Sequence, residues 1–291
     1  MNIFILEPRH PYEFIRLITF FHNVGIQSIN IIDMDATYIT ITGISSDDSM
    51  SVQTRLYKNE FLQIYTHNNN IVSLDLNQLY HVINDNTTDV FSRLSLYCVK
   101  HSQNDYRLKI HVGFHQTFLN SSEHPIICNI EPINTFTPII LTKSDAHVLI
   151  DQNKLKEICT DCKTLGLNNI KIIIFNNYLK FESTNINIKY EKIYDNVTTH
   201  YHTDAKHNII SSICGVNHLL MIYESNLGGN KYMYIDNNSH IVIVSYTTIG
   251  QLIFSINSFE NIVDGDIDDI NNYENNYENN YENDDDIEIE I

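Results

Sequence analysis

Two stretches of short apolar–polar alternation, roughly residues 25–76 and 170–256, dominate the chain. Each is preceded by a segment in which apolar residues recur every three to four positions, the helical period. That period predicts helices at Tyr12–Asn23 and Gln152–Leu165. A second helix in each half is predicted at Asn77–Asn84 and Val216–Asn226, each led in by an apolar–polar strand. One pattern is thus stated twice, which predicts two like domains whose four helices share a face.

Strands are predicted at Gly25–Ile32, Tyr38–Gly43, Met50–Tyr57, Phe61–Thr66, Ile71–Leu76, Phe91–Val99 and Tyr106–Val112 in the first half. The second half has Ile170–Phe175, Tyr178–Glu182, Tyr232–Ile235, Ile241–Tyr246 and Gly250–Ile256. Polar turns, Asp33-Met34-Asp35-Ala36-Thr37 and Asn176-Asn177 among them, separate neighbouring strands. Asn tolerates positive φ and suits a two-residue hairpin. Hairpins this dense predict an α+β fold, antiparallel sheets with helices laid on one side. The boundaries expected are an N-terminal domain 1–128, a connector 129–146, a C-terminal domain 147–261 and a tail 262–291.

In the segment Gln152–Leu165, Leu155, Ile158, Cys159, Cys162 and Leu165 fall on one stripe that packs on a sheet. Asp151 is the expected N-cap and Gly166 the expected C′ residue. Glu157, Thr160 and Thr164 lie opposite, with Lys156 and Lys163 on one flank and Lys154 and Asp161 on the other.

Composition adds a tail and removes some classes. The formal net charge is −18, but twelve of the 36 acids lie between Asp264 and Ile291, where there is no Lys or Arg. The body therefore has 24 acids against 18 bases, a net of −6. The tail repeats Asn-Asn-Tyr-Glu over Asn271–Glu282, a composition that predicts disorder because little apolar surface offsets the ordering entropy. No apolar run approaches the ~18 residues of a membrane span. The start, MNIFILEPRH, has no basic region and meets Glu7 early, so no secretory signal is expected and sequons at Asn86, Asn120 and Asn196 are expected to stay unused. Five scattered cysteines are expected as reduced thiols. Abundant Ile and Asn with three Ala residues fit an AT-rich genome, that of a large DNA virus or of a similarly biased microbe.

Catalytic signals are weak. Cys159-Thr160-Asp161-Cys162 has redox or zinc spacing, but both sulfurs belong to the packed stripe. Asp33 and Asp35 have the spacing to hold Mg²⁺ for a nuclease reaction, yet they sit in turn sequence without a further acidic cluster. His200-Tyr201-His202 lies in a polar stretch, Asp195–Asn208, read as a loop. Phosphate-cradling glycine loops and Gly-x-Ser-x-Gly turns are absent from the sequence. No enzyme, metal site or cofactor is expected.

Several segments carry a family resemblance. Ile71-Val-Ser-Leu-Asp-Leu-Asn-Gln-Leu-Tyr-His-Val-Ile83 resembles the strand-into-helix segment of the eukaryotic and archaeal sliding clamps, the proliferating cell nuclear antigen family. Ser45-Ser-Asp-Asp-Ser-Met-Ser-Val52 lies where that family has Met-Asp-x-x-His-Val. Val148–Gly166, with Ile158-Cys159, is similar to the helix opening its second domain. Ile241–Tyr246 followed by Ile249-Gly-Gln-Leu252 resembles its closing hairpin. The likeness spans about residues 3–260, and the family also ends in a short acidic tail.

The resemblance implies a homotrimeric ring of six like domains, with twelve helices around a hole that passes duplex DNA. Such a DNA polymerase processivity factor needs weak, sequence-blind phosphate contacts. The candidates by position are Arg9, Arg16, His81, Lys154, Lys156 and Lys163. The chain departs from the family where Glu157, Thr160 and Thr164 stand at basic positions, and helix Val216–Asn226 offers only His218 beside Glu224. The inner wall is therefore expected to be less positive than usual.

The family also docks polymerases, ligases and nucleases through short hydrophobic motifs that plug a pocket under the connector. Pro138-Ile-Ile-Leu141 sits at the family's aliphatic-Pro segment, and the implied pocket residues are Ile44, Met50, Val52, Ile139, Leu141, Ile241 and Phe254. Asn257-Ser258 replaces the family's Ala-Pro, and Ser49 replaces its motif histidine. The resemblance further implies a clamp loader as partner, and an intracellular place at sites of DNA replication, nuclear or in a viral replication compartment. The alternative is a clamp-fold scaffold for transcription or recombination, monomeric or hetero-oligomeric, that does not encircle DNA alone.

Overall fold

The computed structural model describes residues 2–258 apart from 34, 67–69, 88–90, 104, 115–116, 133–145, 176–177, 186–187, 195–198, 202–209, 226 and 236–238. The first half runs β1 (Asn2–Pro8), α1 (Pro11–Asn23), β2 (Ser28–Ile32), β3 (Tyr38–Ile44), β4 (Met50–Tyr57), a 3-10 turn (Lys58–Glu60), β5 (Phe61–Thr66), β6 (Asn70–Asp75), α2 (Leu76–Asn86), β7 (Arg93–Ser102), β8 (Asp105–Phe114), β9 (Thr117–Pro125) and β10 (Cys128–Pro132). The second runs β11 (Ala146–Ile150), α3 (Gln152–Thr164), β12 (Asn169–Phe175), β13 (Tyr178–Thr184), β14 (Lys189–Tyr194), β15 (Thr199–Tyr201), β16 (Ile210–Gly215), α4 (Val216–Glu224), β17 (Lys231–Ile235), β18 (Ile241–Thr247) and β19 (Gly250–Ile256).

The duplication reaches single residues. Helices α1 and α3 both have 13 residues, related by a shift of 141 positions. Phe14, Leu17, Ile18 and Phe21 are buried in one, and Leu155, Ile158, Cys159 and Cys162 in the other. Both end in the same Schellman cap. Gly25 at φ +79° and Gly166 at φ +64° take the left-handed position. The next residue's N–H reaches back five residues, Ile26 to the Phe21 carbonyl at 3.2 Å and Leu167 to that of Cys162 at 2.9 Å. The starts differ: Pro11 opens α1 without a side-chain cap, whereas Asp151 caps α3 by accepting from the Asn153 and Lys154 amides, both at 2.9 Å.

Strand order repeats as well. The first half contains β6-β2-β3-β4 and β5-β1-β7-β8-β9, and the second contains β16-β12-β13-β14 and β15-β11-β17-β18-β19. Antiparallel pairing of β4 with β19, from Gly250 opposite Leu56 to Ile256 opposite Met50, fuses one sheet of each half into a ten-stranded sheet. On its core side this joint is apolar: Met50, Val52, Leu56, Leu252, Phe254 and Ile256 are each at most 1% exposed. Phe20 of α1 meets the Phe254 ring edge-on at 5.4 Å. Burying each such side chain contributes roughly 1.5–3 kcal/mol, so the joint binds the halves into one compact unit, Met1–Ser258.

Three sequence expectations change. Leu165 does not join the α3 stripe; it is 36% exposed, because the helix ends at Thr164 and the cap turns Leu167 inward instead. The strand expected from Gly25 begins at Ser28, since residues 24–26 are spent on the α1 cap. The stretch read as a loop at Asp195–Asn208 includes β15, paired with β11. The Asn176-Asn177 turn and the tail lie outside the described residues. Among the described residues no helix is long and apolar enough to cross a membrane.

Candidate DNA-facing helices and partner-docking face

Helices α1 and α2 pack together, as do α3 and α4. Two hydrogen bonds tie α4 to both first helices: Arg16 Nη2 donates to the Ser225 carbonyl at 3.4 Å, and Gln152 Nε2 to that of Tyr223 at 3.3 Å. One layer therefore carries most of the predicted DNA contacts.

Their placement on it is uneven. Arg16 of α1 and His81 of α2 are exposed, and His81 sits edge-on to His22, whose ring stacks on Tyr80 at 3.9 Å. Arg9 precedes α1 and donates to the Asn59 carbonyl, so it belongs to the chain around the 3-10 turn rather than to a helix. Lys154 is half-buried, 3.9 Å from Asp151 and 5.2 Å over the Tyr194 ring, which turns it toward β14. Lys156 and Lys163 are exposed on α3, beside Thr160 and Thr164, whose hydroxyls bond back to helix carbonyls.

The acids of α3 are drawn to β14. Lys192 Nζ lies 2.5 Å from Glu157 Oε1, the Tyr194 hydroxyl donates to Glu157 Oε2 at 2.9 Å, and the Tyr190 hydroxyl donates to Asp161 at 3.3 Å. The Lys192 hydrogen bond, helped by Tyr194, holds the Glu157 carboxyl below the usual carboxylate range. Glu157 is thus matched by Lys192, while Lys156 and Lys163 stay exposed. In α4 the exposed residues are Asn217 and Glu224.

At the start of α4, His218 Nε2 lies 2.8 Å from Ser49 Oγ. Asp47 accepts from the hydroxyls of Ser45 and Ser49, at 2.7 and 2.6 Å, and these bonds lower its pKa to about 2. The family's motif histidine is missing at position 49, yet an imidazole arrives there from another element.

Of the proposed pocket residues, Ile44 is exposed at 59%. Met50, Val52, Ile241 and Phe254 lie instead on the core side, each at most 1% exposed, because their alternation faces the helices. Ile139 and Leu141 lie outside the described residues. The opposite parity forms a second apolar cluster on the reverse face: Tyr234, Val242, Val244 and Ile253, flanked by Tyr232. The uninterrupted run Ile241-Val-Ile-Val244 was the signal for it, since a strand apolar on both faces is covered on both. The related face of the first half is more polar, with the Glu7–Arg93 ion pair, Ser95 and His111 beside Ile5 and Tyr97.

The chemical candidates are engaged locally. Asp33 accepts from Lys58 Nζ at 2.6 Å and from the Thr66 hydroxyl at 2.7 Å, while Asp35 accepts from the Thr37 amide at 2.7 Å. Burial raises the thiol pKa of Cys159 to about 12 and that of Cys162 to about 11. Among the described residues no group of three or more His, Cys, Asp or Glu is placed to hold a metal. His202 and the side chain of His200 lie outside the described residues.

No protein-family model matches the sequence, and no curated protein matches it. Solved structures do. The crystal structure of proliferating cellular nuclear antigen from Entamoeba histolytica superposes with a TM-score of 0.67 at 14% identity, over 89% of this chain and 99% of that one. The chain has the fold of proliferating cell nuclear antigen, a clamp fold of antiparallel sheets and four helices.

Proposed function

We propose that this chain is a DNA sliding clamp: three copies close a ring, duplex DNA passes through it, and polymerases and other replication or repair proteins dock on its outer face. One observation carries the reading. The internal joint pairs β4 with β19, and their counterparts in the duplicated order, β14 and β9, end their sheets unpaired among the described residues. A chain with two such edges repeats its own internal joint head-to-tail with further copies, and a rotation that closes gives a ring. The helix layer then faces the hole, where Arg16, His81, Lys156 and Lys163 contact phosphates, with Arg9 and Lys154 more peripheral.

The docking surface is assigned to the reverse face of the ten-stranded sheet at the exposed Ile44, with the buried Tyr234–Val242–Val244–Ile253 cluster on that face backing it. Met50, Val52, Ile241 and Phe254 support this face from beneath.

The test is retention on DNA. The protein is loaded on nicked circular duplex and on the same duplex linearised, then passed through a sizing column in moderate salt. A clamp stays with the circle and slides off the line; equal loss from both would refute encirclement. The scaffold that does not encircle DNA alone is favoured by one feature, the lack of any Lys or Arg in α4, and predicts that equal loss.

A further inference from the structure

Repeating the internal joint with a second copy, as the clamp reading requires, brings different chemistry together. On β9 the residues that share the core-facing parity of Leu108, Ile110 and Val112 are His124, Ser122 and Asn120. Their counterparts on β19 are Leu252, Phe254 and Ile256. The Ser122 hydroxyl donates to Asn86 Oδ1 at 2.7 Å, and Asn86 Nδ2 lies 3.5 Å from His124 Nε2, so these groups are committed to the end of α2.

The other edge changes in the same sense. On β14 the helix-facing residues are Tyr190, Lys192 and Tyr194, with polar tips bonded to Asp161 and Glu157. Their counterparts on β4 include Met50, Val52 and Leu56. By the shift of 141 positions, Asp161 of α3 stands where α1 has Phe20, the ring that meets Phe254. A carboxylate replaces the aromatic wedge.

We infer that the joint between copies of this chain is polar and labile: β9 of one subunit meets β14 of the next through Asn120, Ser122 and His124 against Tyr190, Lys192 and Tyr194, and the ring dissociates and re-forms in solution. The inference rests on the clamp reading. A polar joint lacks the apolar burial that stabilises β4 against β19, and the Lys192–Glu157 ion pair that holds the helix-facing side of β14 weakens with salt. Such a ring assembles around duplex DNA by association of free subunits.

Two measurements on the full chain test this. Solution mass is followed by light scattering and mass photometry from about 10 µM to about 10 nM, where mass action reveals a labile assembly, and from about 0.05 to about 1 M NaCl, which shortens the screening length several-fold. The expected result is a trimer that falls toward monomer on dilution and falls further in salt. A trimer that survives both overturns the labile joint and leaves the ring. A monomer under every condition overturns the ring itself. The variant Ser122→Val/His124→Leu supplies apolar surface to the joint and is expected to lower the dissociation constant by about tenfold or more. An unchanged constant in a folded variant overturns the assignment of these residues to the joint.

Discussion

Ser49 Oγ and His218 Nε2 lie 2.8 Å apart although 169 positions separate them, and the contact fastens the β3–β4 turn of the first half to the first turn of α4. The single Ser49 hydroxyl proton is directed to Asp47 Oδ1 at 2.6 Å, which leaves His218 Nε2–H as the donor to Ser49. Asn257 adds to the same point, its amide donating to the Ser49 carbonyl at 2.9 Å.

That geometry sets a pH dependence. Burial lowers the His218 pKa below the ordinary histidine value of 6.5. The unfolded chain therefore binds more protons than the folded one just below pH 6.5, and stability falls as pH drops through that window. Replacing His218 with Gln keeps an N–H donor and removes the titration. We expect the melting temperature of the wild type to drop more steeply between about pH 6.5 and pH 5 than that of His218→Gln. Parallel curves by scanning calorimetry would contradict the assignment.

Parts of this were readable in advance. The α3 stripe, its Asp151 cap and Gly166 follow from periodicity and cap chemistry, both local properties. Strands Met50–Tyr57, Phe61–Thr66 and Gly250–Ile256 match their alternating runs at both ends. What could not be read is non-local. Ile241–Val244 is apolar at every position, so its alternation does not say which side faces the helices. The engagement of Glu157 and Asp161 depends on β14, whose Lys-Tyr-Glu-Lys-Ile-Tyr carries little strand signal. The edge at Asn120–His124 is polar on both faces and gave no strand signal at all.

Lys231 is a buried ammonium. It is 0% exposed, and its Nζ donates to the carbonyls of Leu227 at 3.4 Å and Gly229 at 3.3 Å. Burial pushes its pKa down to about 8 from 10.5. Between those two values the unfolded chain holds the extra proton, so stability rises with pH across the window. The gain is on the order of 2–3 kcal/mol at most. Chemical denaturation at about pH 8 and pH 10 reads it. In Lys231→Met the Lys231 contribution to this rise disappears; an identical rise in the variant would show that other groups produce it.

Gly250 guards the joint between the halves. A Cβ there would meet the Arg55 carbonyl oxygen at 2.1 Å, and that atom is strand backbone that cannot rotate away. Gly229 has nothing within 4 Å of its Cβ position. Gly250→Ala should therefore cost about 3 kcal/mol or more by forcing β4 from β19, whereas Gly229→Ala should stay within about 1 kcal/mol. The pair of melting temperatures decides it. Equal small losses would mean that the β4–β19 register adjusts without cost.

The DNA reading makes the sharpest demand on α3. Lys156 and Lys163 are exposed there, while Lys154 lies over Tyr194 and its neighbour Glu157 is matched by Lys192. Phosphate contacts release counterions, so each contact removed lowers the slope of log affinity against log salt by about 0.9. Lys156→Gln/Lys163→Gln should weaken duplex binding without sequence preference and reduce that slope by roughly one to two. Lys154→Gln should change the slope by much less, since its ammonium is turned toward β14. Anisotropy titrations of a short labelled duplex at several salt concentrations give all three slopes. If Lys154→Gln proved the most damaging of these variants, the face of α3 assigned to the DNA would be wrong, and the Tyr194 side of the helix would take its place.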